Sequence, residues 1–284
     1  MKHRTLSLAA LLLTAGCLLA DAPPPVDPLA VTEARTFDAS GGVKLLYRLL
    51  KPANYDPKVA YPLVIFLHGS GGSGSDNRQQ IADQPVALQM LANEPLRSKF
   101  PCFVLAPQAP KGRGGGWTSR EVFRSGSLGV VPPPSPAMGA VLELLPVLAK
   151  EFHLDPCRYY VTGLSMGGYG TWDLLVRCPG RFAAAMPICG GYDPGLLLGV
   201  GQVPLHIFHG SADPAVPVQR ARDAVEALAH IGNIPYYTEY PGVGHDSWHK
   251  AYATPLIWDW LFAQRLGQRP EPSAAKARAF VGLG

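Results

Sequence analysis

The run Pro62-Leu63-Val64-Ile65-Phe66-Leu67-His68 has no polar side chain before its closing histidine, and it stops at a glycine-rich loop. Seven such residues are too few for a core helix. They suit a strand covered on both faces, which is how parallel strands read in sequence. The pattern returns at residues 102–107, 159–163, 183–189 and 205–209, with an earlier strand over 43–51 and an outer one over 236–240. Helical patterns fall between them. Met138, Val141, Leu142, Leu145 and Leu148 line one helix face, with Pro146 expected to kink it; Ala221, Ala224, Val225 and Leu228 line another that stops at Gly232; residues 255–266 make a closing helix. Strand and helix in alternation predict an α/β fold: a mostly parallel central sheet with helices on both faces.

Composition agrees with a single packed body. Of 284 residues 47% are hydrophobic and only 16% charged, and the 31 Gly and 29 Pro follow no three-residue period. Disorder and collagen-like structure are excluded. The net charge of +4 includes Lys2 and Arg4; 25 basic residues less these two, against 21 acidic, leave +2 from Cys17 onward. No basic stripe stands out, so a nucleic-acid partner is not expected.

The chain begins MKHRTLSLAALLLTAGC. A basic start, an apolar stretch from Leu6 to Ala15 and a small-residue end are the parts of an export signal, too short to span a bilayer. Thr14-Ala15-Gly16-Cys17 resembles the bacterial lipobox, although Thr14 departs from its usual aliphatic residue. The expected division is a signal peptide over 1–16 with Cys17 lipidated, a flexible Pro-rich tether over 17–34, a catalytic domain over 35–267 and a loose tail over 268–284. Cleavage nearer Ala20 or Ala22 is the alternative. Both predict export, the first as a lipoprotein held at the membrane and facing the periplasm or the cell surface. Cys102, Cys157, Cys178 and Cys189 form no C-x-x-C pair and imply no metal. A bridge between Cys157 and Cys178 is conceivable if their Cα atoms come within about 7 Å.

The chemistry concentrates in Gly163-Leu164-Ser165-Met166-Gly167-Gly168. It follows a strand pattern and precedes a helix-compatible run over 169–177. A serine on a tight strand-to-helix turn needs small neighbours, and the turn lifts its hydroxyl over the sheet edge. The three-residue match alone is weak; its context strengthens it. A hydroxyl also needs a base, and the base an orienting acid. Asp213 in His209-Gly210-Ser211-Ala212-Asp213-Pro214 and His245 in Gly242-Val243-Gly244-His245-Asp246 each follow a predicted strand, in the order serine, acid, histidine. Backbone amides of Ser70, in the loop His68-Gly69-Ser70-Gly71-Gly72, and of Met166 are the expected oxyanion donors, each worth roughly 3 kcal/mol in comparable sites.

Competing residues read as structural. Asp173, Asp223 and Asp259 sit in helical runs as solvated faces, and Asp193 follows its strand too early. His249 lacks flanking glycines, His209 reads as a satisfied strand-end histidine, and His68 as a support for its loop.

With these residues in place, the chain resembles the α/β-hydrolase superfamily, and within it the exported feruloyl/acetylxylan esterases and polyhydroxyalkanoate depolymerase-like carboxylesterases. The segments LLYRLLKPANYDP, YPLVIFLHGSGGSGSDN, CFVLAPQAP, YYVTGLSMGGYGTWDLL, FAAAMPICGG, HIFHGSADPAVPV and GHDSW carry the likeness across residues 43–262. The resemblance implies a Ser165 acyl-enzyme, His245 as base and then acid, Asp213 as its orienting carboxylate, no cofactor, and Trp117 and Trp248 as lining of an acyl or aryl pocket. Residues 192–203, where this superfamily often inserts a lid, number only twelve. No large lid domain is expected, and an open cleft suits small or polymer-linked esters, such as feruloyl or acetyl groups on plant polysaccharide. The rival expectations are a prolyl-oligopeptidase-like peptidase, for whose gating domain the chain has no room, and a lipid-anchored binding protein without chemistry.

Overall fold

The structure, a computed structural model, describes residues 25–112, 115–119, 122 and 130–268. Residues 1–24, with the expected signal peptide and Cys17, lie outside them, as do residues 269–284 of the expected tail.

In chain order the elements are α1 (Pro28–Val31), β1 (Thr32–Asp38), β2 (Lys44–Leu50), β3 (Tyr61–Leu67), α2 (Gln79–Ala82), α3 (Val86–Ala92), α4 (Leu96–Lys99) and β4 (Phe103–Gln108). There follow α5 (Pro136–Glu151), β5 (Leu154–Leu164), α6 (Met166–Arg177), β6 (Ala184–Ile188), α7 (Pro194–Leu197), β7 (His206–Gly210), α8 (Gln219–His230), β8 (Tyr236–Tyr240), α9 (Trp248–Ala253) and α10 (Pro255–Ala263). Eight strands form one sheet in the order β1-β2-β4-β3-β5-β6-β7-β8. Pairing is antiparallel for β1–β2 and β2–β4 and parallel from β4 through β8.

β3 shows why the sheet must be covered twice. Leu63, Ile65 and Leu67 enter a core shared with α5, α6, α7 and α8, whereas Val64 and Phe66 enter a second core shared with α3, α9 and α10. All seven residues of β3 are buried. Side chains alternate across a strand, so an unbroken apolar run feeds both layers. α5 starts on a Ser135 cap whose hydroxyl accepts the Met138 N–H, with Pro136 in the first turn. The helix continues through Pro146, which faces solvent.

Three expectations need correction. Residues 28–34 are not tether: Asp27 caps α1, and β1 pairs with β2 from Thr32↔Leu50 to Asp38↔Lys44. As an edge strand β1 leaves most of its side chains outside the core, so its sequence TEARTFD shows little apolar alternation. Asp173 is no solvated face either. Its side chain is fully buried and accepts hydrogen bonds from Arg177 Nε at 2.6 Å and the Tyr192 hydroxyl at 2.6 Å. The Cys157–Cys178 bridge is absent, all four described cysteines being free thiols. Cys178 packs on the α5–α6 side of the sheet, while the Cys157 carbonyl accepts from Leu266, which packs on the other.

Candidate active site

β5 delivers Ser165 and α6 begins immediately after it, so the serine occupies the turn between them. Its backbone stands at φ 54°, ψ −117°, a left-handed conformation that a non-glycine residue adopts only where the surroundings enforce it. The enforcement is visible. Ser165 N–H donates to the Ile188 carbonyl of β6 at 3.0 Å. A Cβ on Gly167 would lie 2.8 Å from the His68 carbonyl and closer still to that of Leu67, and one on Gly163 would lie 2.7 Å from the Leu67 carbonyl. Strands β3 and β5 and helix α6 therefore meet through bare backbone, and the glycines around Ser165 permit the approach.

The Ser165 hydroxyl donates to His245 Nε2 at 2.8 Å, and His245 Nδ1 donates to Asp213 Oδ2 at 2.7 Å. A carboxylate only accepts, which fixes the proton on Nδ1 and leaves Nε2 free to take one from the serine. Two loops hold this line. Ala212 N–H donates to the Val243 carbonyl at 3.0 Å, and Gly242 N–H to the Ser211 hydroxyl at 2.8 Å, locking the acid loop after β7 to the histidine loop after β8.

Asp213 is fully buried at its side chain, whereas His245 retains 25% exposure. Burial works against the Asp213 charge, yet hydrogen bonds from His245, Val216 and Ala215 outweigh it and hold the carboxyl below its ordinary value. His209 Nε2 lies 2.9 Å from the Val216 carbonyl and 3.3 Å from Asp213 Oδ2. The carbonyl can only accept, so His209 carries its proton on Nε2 and turns it toward both oxygens. Burial keeps this histidine neutral, with its pKa lowered against the pull of Val216 and Asp213. Sequence reasoning treated His209 as a satisfied structural residue; the structure adds that it backs the acid.

The loop after β3 forms the roof. A Cβ on Gly69 would lie 3.6 Å from Ser165 Cβ, which brings the backbone next to Ser70 over the serine. Met166 opens α6, where an N–H has no acceptor within its helix. His68 anchors the loop: its Nδ1 donates to the Gly69 carbonyl and its Nε2 accepts the Ala109 N–H at 3.0 Å. Burial lowers the His68 pKa to about 4, against the raising effect of the Gly69 bond, so the ring stays neutral near pH 7.

The two tryptophans separate. Trp117 is fully buried, donates Nε1–H to the His68 carbonyl at 3.0 Å and packs edge-on against the His68 ring. It braces the loop from behind and does not line a pocket, contrary to expectation. Trp248 meets the His245 ring edge-on at 5.3 Å and donates to Gln84 Oε1 at 2.9 Å, which places it at the histidine's rim of the site.

A cleft of about 370 Å³ opens beside Ser165, lined also by Thr118, Met166, Tyr169 and Arg220. Arg220 carries no motif and comes from α8, 55 positions downstream of the serine, so nothing in the sequence marked it. Cys189 lies within 4.8 Å of Asp213 and His245, a set with metal-ligand chemistry. Burial pushes the Cys189 thiol up to about 12, so near pH 7 it is no thiolate, and the other two groups already bond each other.

No known family's sequence profile matches the chain. The fold is similar to that of a thermostable esterase, with 38% identity and a TM-score of 0.76 over 83% of this chain and 64% of that one. A poly(3-hydroxyalkanoate) depolymerase C of Paucimonas lemoignei is 24% identical over 290 residues, covering 89% of this chain and 64% of the depolymerase. The chain thus spans about two thirds of the length of either relative. A feruloyl esterase module from Clostridium thermocellum, solved with sinapinate, shares the fold at 16% identity and TM-score 0.60, over 85% of this chain and 91% of the module. This strand order, with a serine on the turn after β5, is the α/β-hydrolase fold that the chain shares with these esterases.

Proposed function

We propose that the protein is a serine carboxylesterase that works through an acyl-enzyme. The observation that carries this reading is the continuous line from Ser165 Oγ through His245 to Asp213, at 2.8 and 2.7 Å. His245 Nε2 takes the hydroxyl proton as Ser165 Oγ attacks the ester carbonyl, and Asp213 steadies the imidazolium. The N–H groups of Ser70 and Met166 receive the developing oxyanion. His245 then protonates the departing alkoxide, the ester C–O bond breaks, and an acyl-Ser165 remains. Water, deprotonated by His245, attacks the acyl-enzyme, and the acid leaves as Ser165 recovers its proton.

The substrate class is an exposed carboxylic ester, with feruloyl and acetyl esters on plant polysaccharide as the leading candidates. Support comes from the short α7 segment where a lid would stand, and from the likeness to a feruloyl esterase module. Trp248, edge-on to the His245 ring, is the candidate for contact with the alcohol or aryl part of an ester. Export with a lipid on Cys17 belongs to the same proposal and rests on the sequence MKHRTLSLAALLLTAGC. No helix among the described residues is long and apolar enough to cross a membrane.

Hydrolysis of para-nitrophenyl acetate and methyl ferulate by the wild type and by Ser165→Ala tests the reading. Activity on either ester that disappears in the variant is the expected result, and the ratio of the two rates ranks acetyl against feruloyl substrates. Equal rates in both proteins would remove Ser165 as nucleophile.

A further inference from the structure

The cleft beside Ser165 carries one feature the ester chemistry does not use. Arg220 shares the cleft with Ser165, and among the described residues that line it, it is the one charged side chain. Its stem is held in place: a Cβ on Gly191 would strike Arg220 Cβ at 2.7 Å, Cγ at 3.1 Å and Cδ at 3.2 Å, so three carbons of the arginine lie on bare backbone. The fit settles the course of the aliphatic stem, while the residue as a whole stays exposed to solvent.

The charge is held at an electrostatic disadvantage. Arg220 stands in the first turn of α8, where the helix dipole is positive and disfavours a cation. Two residues on, Arg222 offsets the same problem by pairing with Glu239 at 2.7 Å. Among the described residues no carboxylate lies within ion-pair distance of Arg220. The guanidinium acts instead on the neighbouring phenol of Tyr169, whose pKa burial raises and Arg220 pulls down. A planar fork of donors at the wall of a cleft, on a packed stem and with no ion-paired acid among the described residues, matches a ligand carboxylate in two-point fashion.

We infer that Arg220 forms an anion subsite, and that the preferred substrate is an ester bearing a second, free carboxylate that the guanidinium receives while the ester carbonyl reaches Ser165. The inference rests on the esterase reading only for the position of the reacting carbonyl.

Binding to the Ser165→Ala protein tests it without turnover. The probes are matched pairs: 4-acetoxybenzoate against phenyl acetate for a carboxylate on the alcohol side, and monomethyl adipate against methyl hexanoate for one on the acyl side. The expected result is that the charged member of one pair binds about tenfold more tightly than its neutral partner, and that raising salt to about 0.5 M erodes the preference. Adding Arg220→Gln should bring the preference to within about twofold, and Arg220→Lys, which keeps the charge without the fork, should fall between. Equal binding of charged and neutral members in both pairs would overturn the subsite, as would a preference that survives Arg220→Gln. Hydrolysis that persists in Ser165→Ala would remove Ser165 as the nucleophile and leave this binding result standing.

Discussion

Gly167→Ala is a one-methyl change aimed at the point where β3, β5 and α6 meet. The added carbon would lie 2.8 Å from the His68 carbonyl and closer to that of Leu67, whereas ordinary contact begins near 3.4 Å. The His68 carbonyl alone would need a shift of 0.6 Å, the difference between those two distances; the nearer Leu67 carbonyl needs more, and both obstacles are backbone. Overpacking of this kind costs roughly 1–3 kcal/mol, from which the better helix propensity of alanine returns up to about 1 kcal/mol. A net loss of about 1–2 kcal/mol is expected. The rate should suffer more than the stability, because the displaced segment carries Ser165 and the Met166 N–H together. Misplacement by 1 Å can cost about a hundredfold, and the Leu67 carbonyl demands a shift of that order, so a fall in kcat/KM of about a hundredfold is predicted. Urea denaturation and para-nitrophenyl acetate hydrolysis measure the two effects. Gly139→Ala in α5 is the control, since the nearest atom to its new carbon is Pro134 Cγ at 3.8 Å. That variant should gain up to about 1 kcal/mol with an unchanged rate. A Gly167→Ala protein as stable and active as the wild type would refute the close-approach argument.

Two further outcomes follow from the groups around the site. His209→Leu removes one of the donors facing Asp213; with that proton shared and 3.3 Å away, the loss should sit near the low end for a charged hydrogen bond, about 1.5 kcal/mol or roughly tenfold in kcat/KM. His209→Gln keeps an N–H in the region and should recover part of the rate, whereas equal rates in all three proteins would dismiss His209 as a positioning residue. Acid stability has a defined sign: burial sets the folded pKa of His68 at about 4 and of His206 at about 3, both below the value of about 6.5 in an unfolded chain. Their contribution is complete above about pH 6.5 and is lost as the pH falls toward 4 and then 3, because the unfolded chain takes up protons the native one refuses. Asp76, held at about 2 by hydrogen bonds from Gln79, Gln108 and Arg78, adds a loss below about pH 4. A urea midpoint that stays constant from pH 7 to pH 4 would contradict these assignments.

Which parts of this molecule could be read in advance depended on whether a residue's environment was set locally. β3, β4, β6 and β7 are short, buried and apolar, so their sequences announce them. β1 lies at the sheet edge with much of its surface in water, and the first part of β5, Leu154-Asp155-Pro156, breaks the apolar run with Asp155 and Pro156 and joins β3 across a shift in register between Tyr61 and Leu63. Neither has a pattern to find. Ser165, Asp213 and His245 were legible because each needs a particular turn, and turns leave glycines in the sequence. Trp117, Asp173 and Arg220 were misread or passed over for the opposite reason. What they touch, respectively His68, Tyr192 and Gly191, comes from elements distant in the chain, and no periodicity encodes such contacts.

The central claim is that the geometry around Ser165 makes its hydroxyl the nucleophile. Reaction with a fluorophosphonate, followed by intact-mass measurement and peptide mapping, tests that claim at the atom concerned. The account predicts one adduct per chain, located on the peptide bearing Ser165, formed in step with the loss of para-nitrophenyl acetate hydrolysis and absent in His245→Ala. An adduct on another residue, or full activity remaining while Ser165 is modified, would contradict it.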